Sequence, residues 1–472
     1  MLLSPQRQPI DISLQRTNAG PLVEQIRGAL RSAIVDGRLQ PGDRLPSWLD
    51  LASQLGVARG TVKSAYDKLA DEALVVSAGA AGTRVAEALA RPPQPPAIVI
   101  RRPLEGWTHG YDLRPLPFQM GVPAQDAFPA KQWSRLRTRI VRDHALSVGQ
   151  PDPRGALRLR AKIAGYLALT RGIRCLPDQI IVTSGYRNGL ALAIRTLGLR
   201  GQSVWMEEPG YPVTRKGLEL DGMVVIRAPV DSEGIDVNRA IELCPDAALA
   251  VVTPGQQAPT GVMLSSERRR ALLDWAHANG SWIIEDDYLS DLQLSGRAAP
   301  ALAAEDAQGR VIHIGSFGKT LSPSLGLGFL VAPLALAERF GEVTACLQPA
   351  PDAATQMALA EFMGDGCYFR HLRQMKRLYG ERREVLLACL GSDAFALRKS
   401  GVALIVDLPD GADDVAIARH ALDLGVAPTP LSVWYGDPKA ASRGLLLNVT
   451  NLRSGVTAKA CDALRTAIRA GL

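Results

Sequence analysis

Residues 311–321 read V-I-H-I-G-S-F-G-K-T-L: a short apolar run, a glycine turn, and then Lys319. A run this brief, bounded by turn formers, predicts a buried strand over Val311–Ile314 rather than a helix. Working outward, runs of the same kind recur at Ile180–Thr183, Val204–Met206, Ala248–Val252, Trp282–Glu285 and Phe329–Val331, with helical patterns between them. Strands alternating with helices predict an α/β domain built on a mostly parallel sheet. From about residue 355 a long basic helical pattern leads into a smaller α+β tail.

This domain does not exhaust the chain. At 472 residues the sequence exceeds a single core, and about 100–200 residues per domain gives two to four domains. The stretch 90–103, A-R-P-P-Q-P-P-A-I-V-I-R-R-P, reads as a semi-stiff linker. The expected division is therefore 14–86, a linker over 87–110, and 111–472. Hydrophobic residues at 47% and charged residues at 21% are ordinary for a globular protein. The six cysteines are scattered with no C-x-x-C pair, which argues against a disulfide framework or a zinc site and suits a reducing compartment. There is no apolar leader pattern and no apolar run of ~18 residues, so the expectation is a cytoplasmic protein with no membrane partner and no metal. A formal net charge of +7 permits a nucleic-acid partner without requiring one.

The N-terminal part reads as a DNA-binding module. Leu22, Ile26, Ala29, Leu30 and Ile34 have helical spacing, and two short helices follow at Trp48–Leu55 and Arg59–Asp71. In V-V-S-A-G-A-A-G-T-R-V (75–85), apolar runs flank glycine turns as in a β-wing. Along Arg59–Asp71, Val62, Ala65, Tyr66 and Leu69 share one face, with Arg59, Gly60, Lys63 and Asp67 on the other. A recognition helix needs that apolar back and polar front. Arg59 and Lys63 are placed for guanine edges or phosphate, and Thr61 for phosphate or base. Arg44 and Ser47 before the second helix, and Gly79, Gly82 and Arg84 at the wing, complete the candidate contacts. The plainer alternative is a three-helix protein-docking module.

Lys319 raises a second chemistry. Pyridoxal phosphate needs a lysine for a Schiff base, a carboxylate at the pyridine nitrogen, a flat group on the ring, and a phosphate cradle. Lys319 supplies the first, and Ser316 is within reach of the phosphate. Asp286, just past the strand Ser281–Glu285, is the candidate pyridine partner, and Tyr288 the partner of the ring hydroxyl. Tyr211, in E-E-P-G-Y-P, offers a stacking face. Ser184, Gly185 and Tyr186 follow Ile180–Thr183 and open a helix, where backbone N–H groups and the helix dipole suit an anion. Taken singly, each has a plainer reading: a surface lysine, a helix N-terminus, a tight turn.

Taken together these residues resemble known families. Leu45, Pro46, Ser47, Leu51, Ala52, Leu55, Gly56, Val57, Arg59, Thr61 and Val62 match the winged helix of the GntR family, L-P-S-x-R-x-L-A-x-x-L-G-V-S-R-x-T-V. Leu49 and Ala58 depart from that pattern. The larger domain resembles fold-type I aminotransferases, and most closely the MocR/GabR-type regulators. The motifs that carry the resemblance are D-P-R-G-A-L-R-L-R-A-K-I-A-G-Y-L (152–167), M-E-E-P-G-Y (206–211), T-P-G-Q-Q-A-P-T-G (253–261), I-I-E-D-D-Y (283–288), G-S-F-G-K-T-L-S-P-S-L (315–325) and G-C-Y-F-R-H-L-R-Q-M-K-R-L-Y (366–379). The resemblance implies a winged helix-turn-helix followed by a large α/β and a small α+β subdomain. It implies Lys319 as the Schiff-base lysine, Asp286 at the pyridine, and Arg215 as a candidate for an effector carboxylate. Arg443 is a second such candidate, with a surface arginine as its alternative.

The departures cluster around the cofactor. Gly326 stands where relatives carry a phosphate-binding arginine, Ala258 where the enzymes carry asparagine, Gln256 where the regulators carry histidine, and Gln150 where a tyrosine reaches the neighbouring subunit's phosphate. The resemblance thus implies a pyridoxal phosphate-dependent transcription regulator with a weakened phosphate grip. It would be a homodimer on a double-stranded DNA operator, sensing a small amine, an amino acid, or the cofactor itself. The alternatives are an active aminotransferase with an attached winged helix, and a dimeric DNA binder that has lost its cofactor.

Overall fold

The computed structural model describes residues 12, 14, 20–77, 82–87, 114–145, 149–294, 296, 298–348, 351–391, 395–437 and 439–472. The chain divides into two compact units, Met1–Arg102 and Pro103–Leu472. The stretch 90–103 and the wing glycine Gly79 lie outside the described residues.

The N-terminal unit runs α1 (Leu22–Val35), α2 (Trp48–Leu55), α3 (Arg59–Asp71), β1 (Val75–Ser77) and β2 (Thr83–Val85). Ile26 and Leu30 of α1, Leu51 and Ala52 of α2, and Val62, Ala65 and Leu69 of α3 meet in one core. The two strands pair antiparallel, Val75 opposite Val85, and Arg44 bridges to Arg84 beside them. Gly56 ends α2 in the left-handed region at φ 62°, which turns the chain into α3. Tyr66 then donates to the Pro46 carbonyl at 2.9 Å and fixes the approach to α2.

The two helix starts differ. Ser47 accepts the Asp50 N–H at 3.1 Å and donates back to the Asp50 carboxylate at 2.6 Å, so its hydroxyl caps α2. Ala58 has the same extended backbone, φ −65° and ψ 142°, but no side-chain cap.

In the second unit the strands are β3 (Ile180–Thr183), β4 (Ser203–Glu208), β5 (Val224–Asp231), β6 (Gly234–Ile235), β7 (Leu249–Val252), β8 (Trp282–Asp287), β9 (Val311–Ser316) and β10 (Gly328–Val331). They form one sheet in the order β3-β10-β9-β8-β7-β4-β5-β6. Strands β9, β8, β7, β4 and β5 pair in parallel, and β10 runs antiparallel between β3 and β9. Alternate residues feed opposite cores. Ile284 and Ile312 pack with Leu190, Leu218 and Phe340 on one face, and Ile283 and Val311 with Trp205, Leu272 and Trp275 on the other. Strand β5 escaped the reading of apolar runs because V-V-I-R-A-P-V-D is half-exposed and carries Arg227 and Pro229, as suits a strand near a sheet edge.

The smaller subdomain holds β11 (Leu397–Ser400), β12 (Ala403–Asp407), β13 (Thr429–Pro430) and β14 (Gly444–Asn448) in the order β11-β12-β14-β13. Helices Cys367–Leu390, Asp414–Asp423 and Thr457–Gly471 accompany it. Leu404 and Leu447 of this sheet share a core with Tyr379 and Leu464 of those helices.

The contrast at the caps is testable by amide hydrogen exchange with mass spectrometry. Ala58→Ser should stabilise the start of α3 by about 1 kcal/mol and slow exchange in its first turn. Ser47→Ala should have the opposite effect, of similar size, on α2.

Candidate functional site

The ends of β3, β8 and β9 open onto a cavity of about 790 Å3. Its wall brings together Ser184, Gly185, Tyr186, Tyr211, Asp286, Tyr288, Ser316 and Lys319. A crevice at the carboxyl ends of parallel strands is where α/β sheets bind ligands.

Lys319 follows β9, and its Nζ donates to the Gly121 carbonyl at 3.1 Å. Gly121 has φ +83°, and a Cβ there would stand 2.8 Å from that Nζ, so the seat requires glycine. Burial lowers the pKa of the amine below the ordinary lysine range and Arg187 adds to this, while Asp286 opposes it. Asp286 is buried, and its carboxylate accepts no hydrogen bond from the described residues. Burial, aided by Asp287, pushes it well above the usual carboxylate range, with Lys319 pulling it down. It lies within β8, which extends through Asp287 rather than ending at Glu285.

The residues on either side of Asp286 are anchored. Glu285 accepts the Leu302 and Ala303 N–H groups at 2.7 and 3.1 Å and pairs with His313 Nδ1 at 2.9 Å. Asp287 accepts Arg171 Nε at 2.7 Å. Burial works against both charges, yet His313 and Arg171 hold both carboxyls below their ordinary range. No motif pointed to Arg171 or His313, because their partners lie more than twenty residues away in sequence.

The remaining wall is built from backbone and rings. Gly185 has φ 110° and ψ −177°, a conformation that side chains rarely adopt, and opens the helix Tyr186–Leu197. A Cβ on Gly328 would stand 2.8 Å from the Gly185 Cα, so the two backbones touch. Tyr211 precedes the helix Pro212–Leu220, with its ring centroid 5.8 Å from that of Trp434. Buried Gln256 lies on the same wall, and its Oε1 has no partner among the described residues. The set fits pyridoxal phosphate: an unpaired buried carboxylate, a seated amine, a ring face, and a glycine-shaped anion cradle.

Two expected residues are placed elsewhere. Arg215 does not line the cavity; it donates to the Trp434 and Val433 carbonyls, both at 3.2 Å, and pairs with Glu208 at 3.7 Å. Arg443 also lies off the wall, 3.8 Å from the fully buried Asp414. Each sits within short reach of a buried carbonyl or carboxylate, which draws it away from the cavity. Gln150 is exposed and off the wall, whereas Ala258 and Gly326 lie on it. The sequence reading passed over Arg187, although it follows Gly185-Tyr186 in the first turn of a helix and lines the cavity.

In the N-terminal unit, Arg44, Arg59, Lys63 and Arg84 are exposed and Thr61 is half-buried. Arg84 Nη1 donates to the Gly42 carbonyl at 2.9 Å. Gly82, at φ +87°, leaves room for Arg44, whose Nε would lie 2.9 Å from a Cβ there.

A winged helix followed by an aminotransferase-type domain defines a class of transcription regulators. Residues 22–85 match the family model for bacterial regulatory proteins of the gntR family, and residues 131–436 that for aminotransferase class I and II. The probable rhizopine catabolism regulatory protein MocR of Rhizobium meliloti is 34% identical, over 97% of this chain and 96% of that one. The HTH-type pyridoxine biosynthesis transcriptional regulator PdxR of Corynebacterium glutamicum is also 34% identical, over 90% of this chain and 92% of that one. Among solved structures, the α-aminoadipate aminotransferase LysN of Thermus thermophilus, complexed with N-(5'-phosphopyridoxyl)-L-leucine, superposes with a TM-score of 0.66 at 25% identity, covering 78% of this chain and 93% of that one. The chain belongs to the MocR/GabR-type subfamily of GntR transcription regulators.

The electrostatics of Lys319 can be read without a cofactor. Asp286→Asn removes the charge that raises the amine's pKa, and Arg187→Gln removes one that lowers it. The pH midpoint for modification of Lys319 by acetic anhydride, followed by peptide mass spectrometry, should fall in the first variant and rise in the second.

Proposed function

We propose that this regulator binds pyridoxal phosphate at Lys319 and uses it to sense a small amine or amino acid, altering its hold on DNA. The observation that carries the proposal is the buried, unpartnered carboxylate of Asp286 beside the seated amine of Lys319. Bound there, pyridoxal phosphate supplies an aldehyde that reacts reversibly with primary amines. Lys319, with its pKa depressed by burial, offers the nucleophilic nitrogen. Asp286 would hold a proton at the pyridine nitrogen, and Tyr211 would offer its face to the ring. The hydroxyls of Ser316 and Ser184 and the backbone N–H groups of Gly185 and Tyr186 would receive the phosphate, the Ser184 N–H being held by Asn188 Oδ1 at 3.2 Å. Tyr288 would be the partner of the ring hydroxyl. With Arg215 and Arg443 engaged elsewhere, the effector is gripped mainly through its amine and the apolar wall of Ala258, Trp434 and Leu446.

The same Lys319, Asp286 and Tyr211 support the second reading, an active aminotransferase. Departures at Gly326, Ala258 and Gln150 favour sensing. A transaminase must retain its cofactor when the lysine bond is released. A sensor need only shift a two-state equilibrium by its differential affinity for the two states. The functional form is proposed to be a cytoplasmic homodimer, whose two winged helices suit a two-fold operator. Among the described residues no helix is long and apolar enough to cross a membrane.

Protein mixed with pyridoxal phosphate should absorb in the near-ultraviolet to violet, and borohydride should fix the label on Lys319. Candidate amino acids should then change the spectrum or DNA affinity without sustained keto-acid release. An unchanged spectrum and labelled peptide yield in Lys319→Ala would refute the assignment, and multiple turnovers that vanish in Lys319→Ala would establish the enzyme reading instead.

DNA affinity should fall steeply with salt. Arg59→Ala should cost about 1–3 kcal/mol on the specific site and less on random duplex in fluorescence anisotropy. Equal losses on both would reduce Arg59 to a phosphate contact.

A further inference from the structure

We propose that Arg187 carries the positive charge that holds the cofactor's phosphate, in place of the arginine that Gly326 replaces. This rests on the cofactor reading above. Arg187 lies in the first turn of Tyr186–Leu197, lines the cavity, and is exposed, with no hydrogen bond or ion pair to any described residue. Its charge nevertheless reaches the site, since it lowers the pKa of the Lys319 amine.

The strand register explains why position 187 can stand in for 326. Gly328 pairs with Thr183, and the Gly328 and Gly185 backbones are in contact. Gly326 and Arg187 each lie two residues from that contact, one on each of the loops that meet there. Both line the cavity, together with Ser184, Ser316, Ser322 and Ser324. Hydroxyls and backbone N–H groups can bond a phosphate, but they carry no full charge against its roughly −1.5 to −2 at neutral pH. Among the described residues of the wall, the basic side chains are Arg187, Lys319 and Arg419. The Lys319 amine is committed to the aldehyde, and Arg419 belongs to the helix Asp414–Asp423, which packs on the small sheet. That leaves Arg187, whose planar guanidinium suits the oxygens of a phosphate.

The test compares pyridoxal phosphate with pyridoxal, which has the same aldehyde and no phosphate. Dissociation constants of both are measured by absorbance titration of the full chain. Arg187→Gln also shifts the Lys319 amine, but that change affects both compounds and cancels in their ratio. Wild type should bind pyridoxal phosphate far more tightly than pyridoxal. Arg187→Gln should weaken pyridoxal phosphate roughly ten- to hundredfold relative to pyridoxal, and Arg187→Lys should recover most of that loss. An unchanged ratio in Arg187→Gln overturns the role of Arg187 while leaving the cofactor reading intact. Absence of a Lys319-dependent band with either compound in wild type overturns the cofactor reading, and this inference with it.

Discussion

Three consecutive carboxylates, Glu285, Asp286 and Asp287, end a buried strand, and burying ionised carboxylates is expensive unless each is paired. The pleat resolves the problem, because successive side chains leave a strand on opposite faces. Glu285 and Asp287 turn away from the cavity toward His313, Arg171 and the amides of Leu302 and Ala303. Asp286 is left on the cavity wall without a partner. Arg171 comes from the end of the helix Leu157–Thr170 and His313 from the adjacent strand, so two separate elements stabilise the strand end that leaves one carboxylate ready for a ligand.

Where function depends on local sequence, the chain was legible. Short apolar runs located β3, β4, β7, β8, β9 and β10, because strands buried on both faces are nearly uniformly apolar, whichever way they pair. The alternation of Val62, Ala65, Tyr66 and Leu69 with charged neighbours located α3 to the residue. Lys319, Asp286 and Tyr211 could be singled out because each lies at or just after a strand end in a short motif, and the structure places all three on one cavity wall. Features that depend on distant partners were not legible. Arg215 read as a ligand-binding arginine, but carbonyls more than two hundred residues downstream claim it. Arg443 was drawn off in the same way by Asp414. The His313–Glu285 pair has no signature in either segment taken alone.

The N-terminal unit shows that matching a pattern is not the same as preserving its energetics. The helix-turn-helix geometry survives because Leu51, Ala52, Val62 and Leu69 keep their core and Gly56 keeps its left-handed turn. The two departures sit on the surface and touch different quantities. Ala58 leaves the start of α3 without a side-chain cap, while Leu49 leaves an exposed apolar side chain where the family pattern has arginine. Ser47, by contrast, keeps the pattern, and its hydroxyl caps α2.

The bond from Lys319 to the Gly121 carbonyl makes that lysine a clasp. The segment it holds is stitched to the small subdomain on either side of the glycine: Ala427 N–H donates to the Pro117 carbonyl at 2.9 Å, Asn448 N–H to Phe118 at 3.1 Å, and the Thr450 hydroxyl to Val122 at 2.6 Å. Any reaction that engages the amine withdraws a donor from this seam, worth about 1 kcal/mol. Chemistry at the lysine and the fastening of one subdomain to the other are therefore thermodynamically linked.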